Sequence, residues 1–327
     1  MRTARLPESA SMPVLVAAIV ACTLLGSTVR AAVYDSAALS TAGTVFSGIF
    51  VQALPFLALG VTLSALIAVF VTADRLSRWL PRRPAAAVLT AAASGAALPG
   101  CECGSVPVAR RLFGDGAVGA AALTFMLAAP AINPVVVVST VVAFPGQPKM
   151  VFARVGASLI TAIVMGLAWS RWGNTEWITR RLPRSLDGHG SRWQTFIEAA
   201  RHDFIQAASY LVIGAAAAAA LHVIVPDWLM AHLAGQLLLG VLVMAVLAVV
   251  LALCSEADAF VAASLTMVPL VPRLVFLVVG PAIDVKLFAM QSGMFGRAFA
   301  VRFAPATFVV ATVTATVIGV LVLGRSA

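Results

Sequence analysis

The segment LPGCECGSVPVAR, residues 98–110, interrupts an otherwise apolar chain with a proline, a glycine and a Cys-Glu-Cys triplet. Proline removes a backbone N–H and glycine permits backbone geometries that other residues resist, so a helix entering this segment is expected to end there. The apolar run before it, residues 85–98, is too short to cross a bilayer unaided. The segment therefore predicts a broken or re-entrant helix inside a membrane protein.

A second segment, LCSEADAFVA at residues 253–262, lies about 150 residues further on. The same spacing relates FMLAAPAINP at residues 125–134 to FLVVGPAIDV at residues 276–285, and a long apolar run follows each. These matches predict two internal repeats, each with an interrupted helix. Basic loops tend to face the cytoplasm, and if the first interruption is a hairpin, the two repeats are expected to be inverted.

Composition supports a membrane protein. The chain has 327 residues, of which 61% are hydrophobic and 11% are charged, whereas about a quarter of a soluble domain is charged. These values exclude a soluble enzyme and intrinsic disorder. The net charge is +9, but the arginines lie between apolar runs, where basic residues set topology, so no nucleic-acid partner is expected. The predicted fold class is all-α and polytopic.

The apolar runs and one polar stretch divide the chain. The predicted parts are an N-terminal transmembrane helix (1–40), a first repeat with the Cys-Glu-Cys motif (41–170), a basic cytoplasmic linker (171–202) and a second repeat with the Cys-Ser-Glu-Ala-Asp motif (203–327).

Ionisable residues inside a membrane are costly and functional by default. Four of the thirteen acids lie within the repeated segments, and an amide matches the last of them; the predicted substrate-binding residues of this kind are Glu102, Glu256, Asp258, Asp284 and Asn133. An alternative stays open, in which these side chains cap or hydrogen-bond the interrupted helices. Lys286 is expected either to pair with Asp284 or to extend to the membrane interface.

Three cysteines lie at the interruptions, and they complete the predicted binding site: Cys101, Cys103 and Cys254. Thiolates are soft ligands, suited to soft metals or thiophilic metalloids, so the three are also predicted metal ligands. A closed zinc site is not favoured, because only three of the four cysteines are candidate ligands and no histidine is near them. Incidental packing of the cysteines is the alternative. No cofactor is expected, apart from a metal or metalloid bound as substrate.

These segments resemble the permease family that includes the ArsP organoarsenical efflux permeases and the YraQ-like membrane proteins. The resemblance rests on residues 98–112, 125–134, 254–265 and 280–284, and it covers most of the chain from about Val45 onward. It implies a multi-pass permease of the bacterial inner membrane. The family's known substrates are trivalent organoarsenicals, and the implied substrate contacts are the three cysteines. Glu102, between two of them, suits a cation better.

The sequence therefore predicts a permease, not an enzyme, that moves a small thiophilic solute using an ion gradient, with the acids handling charge or protons. No nucleotide-binding or hydrolase motif is present. The alternatives are a transition-metal cation permease, a membrane thiol oxidoreductase and a non-transporting accessory subunit. The expected partners are the lipid bilayer, a small-molecule or ion substrate and an accessory membrane or soluble subunit.

Overall fold

The computed structural model describes residues 36–70, 81, 83–97, 102–113, 117–178, 192–224, 237–266 and 268–324. These ranges contain twelve α-helices and two short 3-10 turns, Gly95–Ala97 and Thr175–Trp177, and no strand. The predicted all-α fold is confirmed. Two predicted features lie outside the described residues, namely residues 1–35 of the N-terminal transmembrane helix predicted for 1–40, and the thiol of Cys101.

The helices fall into two series of six. The first series comprises α1 (Ala37–Phe70), α2 (Pro84–Ser94), α3 (Glu102–Leu112), α4 (Ala117–Ile132), α5 (Pro134–Ala143) and α6 (Pro148–Trp172). The second comprises α7 (Arg192–Ile224), α8 (Leu237–Leu251), α9 (Ser255–Ser264), α10 (Leu270–Ala282), α11 (Val285–Met294) and α12 (Arg297–Leu323).

Both series follow one order: a long helix, two short helices, a pair interrupted at one or two residues, and a second long helix. This is the order that an internal repeat predicts, while the repeat itself and its inversion stay predictions. Helix α7 begins at Arg192, inside the stretch expected to form the linker. Among the described residues, four segments are long and apolar enough to cross a membrane, namely Ala117–Ala143, Pro148–Trp172, Leu270–Met294 and Arg297–Leu323.

The matched Pro-Ala-Ile-Asn/Asp segments end one helix and start the next. Asn133 precedes a proline, which disfavours helical geometry, and its side chain accepts a hydrogen bond from the backbone N–H of Val136 at 3.0 Å. Asp284 has an extended backbone, and its Oδ1 accepts from the N–H of Leu287 at 2.6 Å. Each residue is therefore the N-cap of the following helix.

The centre of the fold is formed by α4 and α10. Every residue of α4 from Gly119 to Ile132 is buried. Of the 18 most apolar consecutive residues in Leu270–Met294, 83% are buried, whereas the corresponding share in Arg297–Leu323 is 22%. Helix α12 therefore lies at the periphery with many of its apolar side chains exposed, whereas α4 and α10 lie inside.

The half-helix α3 packs against α1 at an unusually close crossing. A Cβ atom added to Gly60 of α1 would overlap the backbone of Gly104 in α3. Because Gly104 is two residues from Glu102, this contact fixes how closely the start of α3 approaches α1. Small residues allow such close helix contacts in membrane proteins.

We expect Gly60→Ala to destabilise the protein by about 1–3 kcal/mol, because the new methyl group forces the two backbones apart. Gly48→Ala is the matched control in the same helix, since an added Cβ there meets nothing within 4 Å. Thermal unfolding of both variants in detergent measures the difference. Equal stability of the two variants would show that α1 and α3 are not in close contact.

Candidate functional site

The ammonium group of Lys286 is surrounded by four oxygen atoms in the protein interior. Nζ lies 2.6 Å from Glu102 Oε1 and 3.0 Å from Asp284 Oδ2. It also donates hydrogen bonds to the backbone carbonyls of Ala252 and Leu253, both at 2.9 Å. All three charged side chains are at most 1% exposed. The predicted pairing of Lys286 with Asp284 is therefore present, and the lysine does not extend to the interface.

The four oxygens come from three interruptions of the helical chain. Glu102 is the first residue of α3, and Asp284 separates α10 from α11. Ala252 and Leu253 follow the end of α8, and Ala252 has a φ of 48°, a left-handed conformation that is uncommon outside glycine. A single ammonium group thus joins all three interruptions.

Each contact of Lys286 lies at a helix end. Carbonyls at the C-terminus of a helix lack helical partners and favour a nearby cation, and Lys286 binds two of them after α8. A carboxylate is favourable at a helix N-terminus, where Glu102 begins α3. Two carboxylates nevertheless share one ammonium, and Glu102 Oε2 makes no hydrogen bond within the described part of the chain.

A second buried cation, Arg154, forms a hydrogen bond with the first residue of α9. Its guanidinium donates to Thr140 Oγ1 at 2.6 Å and to the Ser255 carbonyl at 2.7 Å. Arg154 also interacts electrostatically with Asp258 and Glu256, which occupy the first turn of α9. This arginine therefore connects α5, α6 and α9 next to the second predicted motif.

Asp258 links the two cation centres. It interacts electrostatically with Arg154, Glu102, Lys286 and Asp284. Its carboxylate packs against Gly280 of α10, where an added Cβ would lie 2.6 Å from Asp258 Oδ2. The four predicted acids and the two basic residues thus form one cluster, with four potential negative charges and two positive ones; Glu256 is partly buried and the other five are buried.

Two of the predicted thiols lie beside this cluster. Cys103 follows Glu102 in the first turn of α3, and Cys254 is the N-cap residue of α9. Both are buried, and both interact electrostatically with Lys286. Within the described residues, no group of three or more His, Cys, Asp or Glu side chains is arranged to hold a metal ion. The predicted metal-ligand set includes Cys101 and stays a prediction.

Asn133 differs from the other predicted residues. It is completely buried, and besides capping α5 it donates from Nδ2 to the Ala129 carbonyl at 3.0 Å. Both of these bonds go to backbone on either side of the interruption. The same capping role is present at Asp284, but there the second carboxylate oxygen is in the cluster. The two matched positions therefore share their structure and differ in charge.

Comparisons with known proteins match nearly the whole described region. The model of a family described as "Predicted permease" (ArsP) matches residues 38–320. The chain belongs to this permease family. The family predicted from the two cysteine segments is thus confirmed. Two bacterial relatives also match the chain. The permease is a multi-pass membrane protein.

A protein of Streptococcus mutans, provisionally named a two-component membrane permease complex subunit, is 30% identical over 285 residues, covering 85% of this chain and 94% of the relative. The UPF0718 protein YcgR of Bacillus subtilis is 35% identical over 281 residues, covering 83% of this chain and 94% of that protein. No solved structure matches the permease.

Sequence reasoning missed two charged residues of the permease, Arg154 and Asp203, and for Lys286 it gave two alternatives. Asp203, near the end of an apolar run, is 2% exposed, and its Oδ2 lies 2.8 Å from Arg111 and accepts from Ser64 Oγ at 2.7 Å. One signal in the sequence pointed to Lys286. The chain has only two lysines among its 22 basic residues, and Lys286 lies two positions after Asp284.

We expect Lys286→Met to destabilise the permease by about 3–5 kcal/mol, because removing one partner of a buried ion pair strands the other charge. Here two carboxylates lose their cation. The double variant Lys286→Met/Glu102→Gln should recover part of the loss, since only Asp284 then stays ionised without a partner. Chemical unfolding in detergent measures both effects.

Lys149→Met is the matched control for this measurement, because Lys149 is the other lysine of the permease and its side chain is exposed. A Lys286→Met protein as stable as the Lys149→Met protein would contradict the four-oxygen arrangement. So would a double variant less stable than Lys286→Met.

Proposed function

We propose that the protein is a permease of the bacterial inner membrane that moves a small thiophilic solute, such as a trivalent organoarsenical, across the bilayer. The observation that carries the proposal is the position of two buried thiols, Cys103 and Cys254, at two separate interruptions beside Lys286. Thiols are the ligands that such solutes prefer among protein side chains.

The chemistry of the neighbouring residues supports transport in preference to catalysis. Irregular backbone and ionisable groups at membrane depth are features of substrate pathways in transporters. Binding of a metalloid to a thiol releases a proton, and the surrounding carboxylates of Glu102, Glu256 and Asp258 are suited to accept it. On this proposal the cysteines bind the solute and the acids handle the proton.

The source of energy is proposed to be an ion gradient, because the sequence contains no nucleotide-binding motif. We also propose that the permease works with a second subunit. The provisional name of the Streptococcus mutans relative supports this, since it describes that protein as part of a two-component membrane complex. A membrane or soluble subunit would fit equally well.

Uptake of trivalent methylarsenic into everted membrane vesicles tests the proposal. Cys103→Ser and Cys254→Ser should each reduce uptake at least about tenfold, the effect of losing roughly 1.4 kcal/mol of binding. Serine keeps the size of the side chain but replaces a soft sulfur with a hard oxygen. Cys101→Ser should have the same effect if the third thiol belongs to the site.

Cys22→Ser is the matched control, because Cys22 lies outside the region that matches the family. Quantitative blotting should show equal amounts of all variants in the membrane. Wild-type uptake by both Cys103→Ser and Cys254→Ser would overturn the thiophilic substrate, and a loss of uptake in Cys22→Ser would show that the assay reports stability instead.

A further inference from the structure

The oxygen atoms around Lys286 have the composition of a cation-binding site. Two are carbonyls of a non-helical segment, from Ala252 and Leu253, and two are carboxylate oxygens, from Glu102 and Asp284. Secondary transporters bind their coupling cations with this combination, unwound carbonyls and acidic side chains at broken helices. Here the two carboxylate oxygens lie 2.6 and 3.0 Å from Lys286 Nζ, so the cation is a side chain of the protein itself.

We infer that the Lys286 ammonium is a tethered cation that permanently fills a monovalent-cation site of the permease. The inference rests on the proposed function, because it states how that site is supplied with positive charge. A tethered cation cannot cross the membrane with the substrate. A sodium or potassium gradient therefore cannot be coupled to transport at this position, which leaves protons as the ions that these carboxylates exchange.

The choice of residue supports the inference. The chain uses lysine only twice among 22 basic residues, at positions 149 and 286. An ammonium is a compact charge with three donors that point in different directions, whereas a guanidinium is a planar fork suited to a carboxylate edge. Four oxygens from three chain segments surround a single nitrogen. A free monovalent cation such as K⁺ or NH₄⁺ is surrounded by oxygens in a similar way.

The burial of Lys286 allows the inference to be tested by removing its ammonium group. Its side chain has no exposed surface, and α11 begins one residue before it, so the ammonium is held on a rigid element. Lys286→Ala removes the ammonium and leaves two carboxylates and two carbonyls facing one another. Since the carboxylates repel each other across this space, the variant should gain affinity for a free cation of similar size.

Thermal unfolding of the purified full-length protein in detergent tests this inference. The salts are KCl, NH₄Cl, NaCl and choline chloride at equal ionic strength. Lys286→Ala should be least stable in choline, which is too large to enter, and its Tm should rise by roughly 4 °C or more in KCl or NH₄Cl. Wild type and the exposed-lysine control Lys149→Ala should have the same Tm in all four salts.

A second variant separates a cation site from general salt effects. In Lys286→Ala/Glu102→Gln one carboxylate is neutral, so the rise in Tm with KCl or NH₄Cl should be lost. If Lys286→Ala is too unstable to purify in choline, recovery of folded protein only when potassium or ammonium is present supports the inference. A Lys286→Ala protein that responds to no cation would overturn it.

The wild-type protein provides a test that does not depend on any variant. A saturable rise of wild-type Tm with Na⁺ or K⁺ would overturn the inference, because the site would then accept a free cation beside the lysine. None of these measurements contains a thiophilic solute. Failure of the cysteine variants to affect uptake would therefore leave the tethered cation standing, and absence of a cation effect would leave the substrate proposal standing.

Discussion

Burial of one ammonium group is the constraint on which the centre of this fold depends. Lys286 has no contact with solvent, so its charge is tolerable only because carboxylates and carbonyls replace water around it. Those oxygens come from the start of α3, the end of α8 and the cap of α11, three places where the helical chain is interrupted. None of these ends could lie inside the bundle alone, since each would leave polar backbone or a charge without a partner.

The half-helix α3 shows how the constraint extends through the molecule. Glu102 at its N-terminus binds Lys286, and Arg111 near its C-terminus binds Asp203 on α7. Glu102 and Arg111 are nine positions apart, which is about 14 Å along the helix axis at 1.5 Å per residue. Both charges also match the helix dipole. A shift of α3 relative to Lys286 or to Asp203 would break one of these ion pairs.

The site combines two kinds of chemistry in one buried region. Two thiols lie at the first turn of α3 and at the N-cap of α9, and four acids lie near the basic residues Lys286 and Arg154. Arg154 neutralises the start of α9 without a direct bond to a carboxylate, because its two terminal nitrogens bind Thr140 and Ser255. The cluster therefore holds four potential negative charges against two positive ones.

The sequence alone determined the class of the protein, the places where its helices break and the acids and thiols at those places, because proline, glycine and intramembrane charge act locally or are costly in lipid. As an alternative to substrate binding, it also offered hydrogen bonding of Asn133 and Asp284 to the interrupted backbone. Only the tertiary structure decided that Lys286 meets Glu102, that Arg154 meets the Ser255 carbonyl 101 residues away, and that Asp203 is buried. These partners are far apart in the chain, and since many carboxylates could serve any one cation, the packing of the helices selects among them.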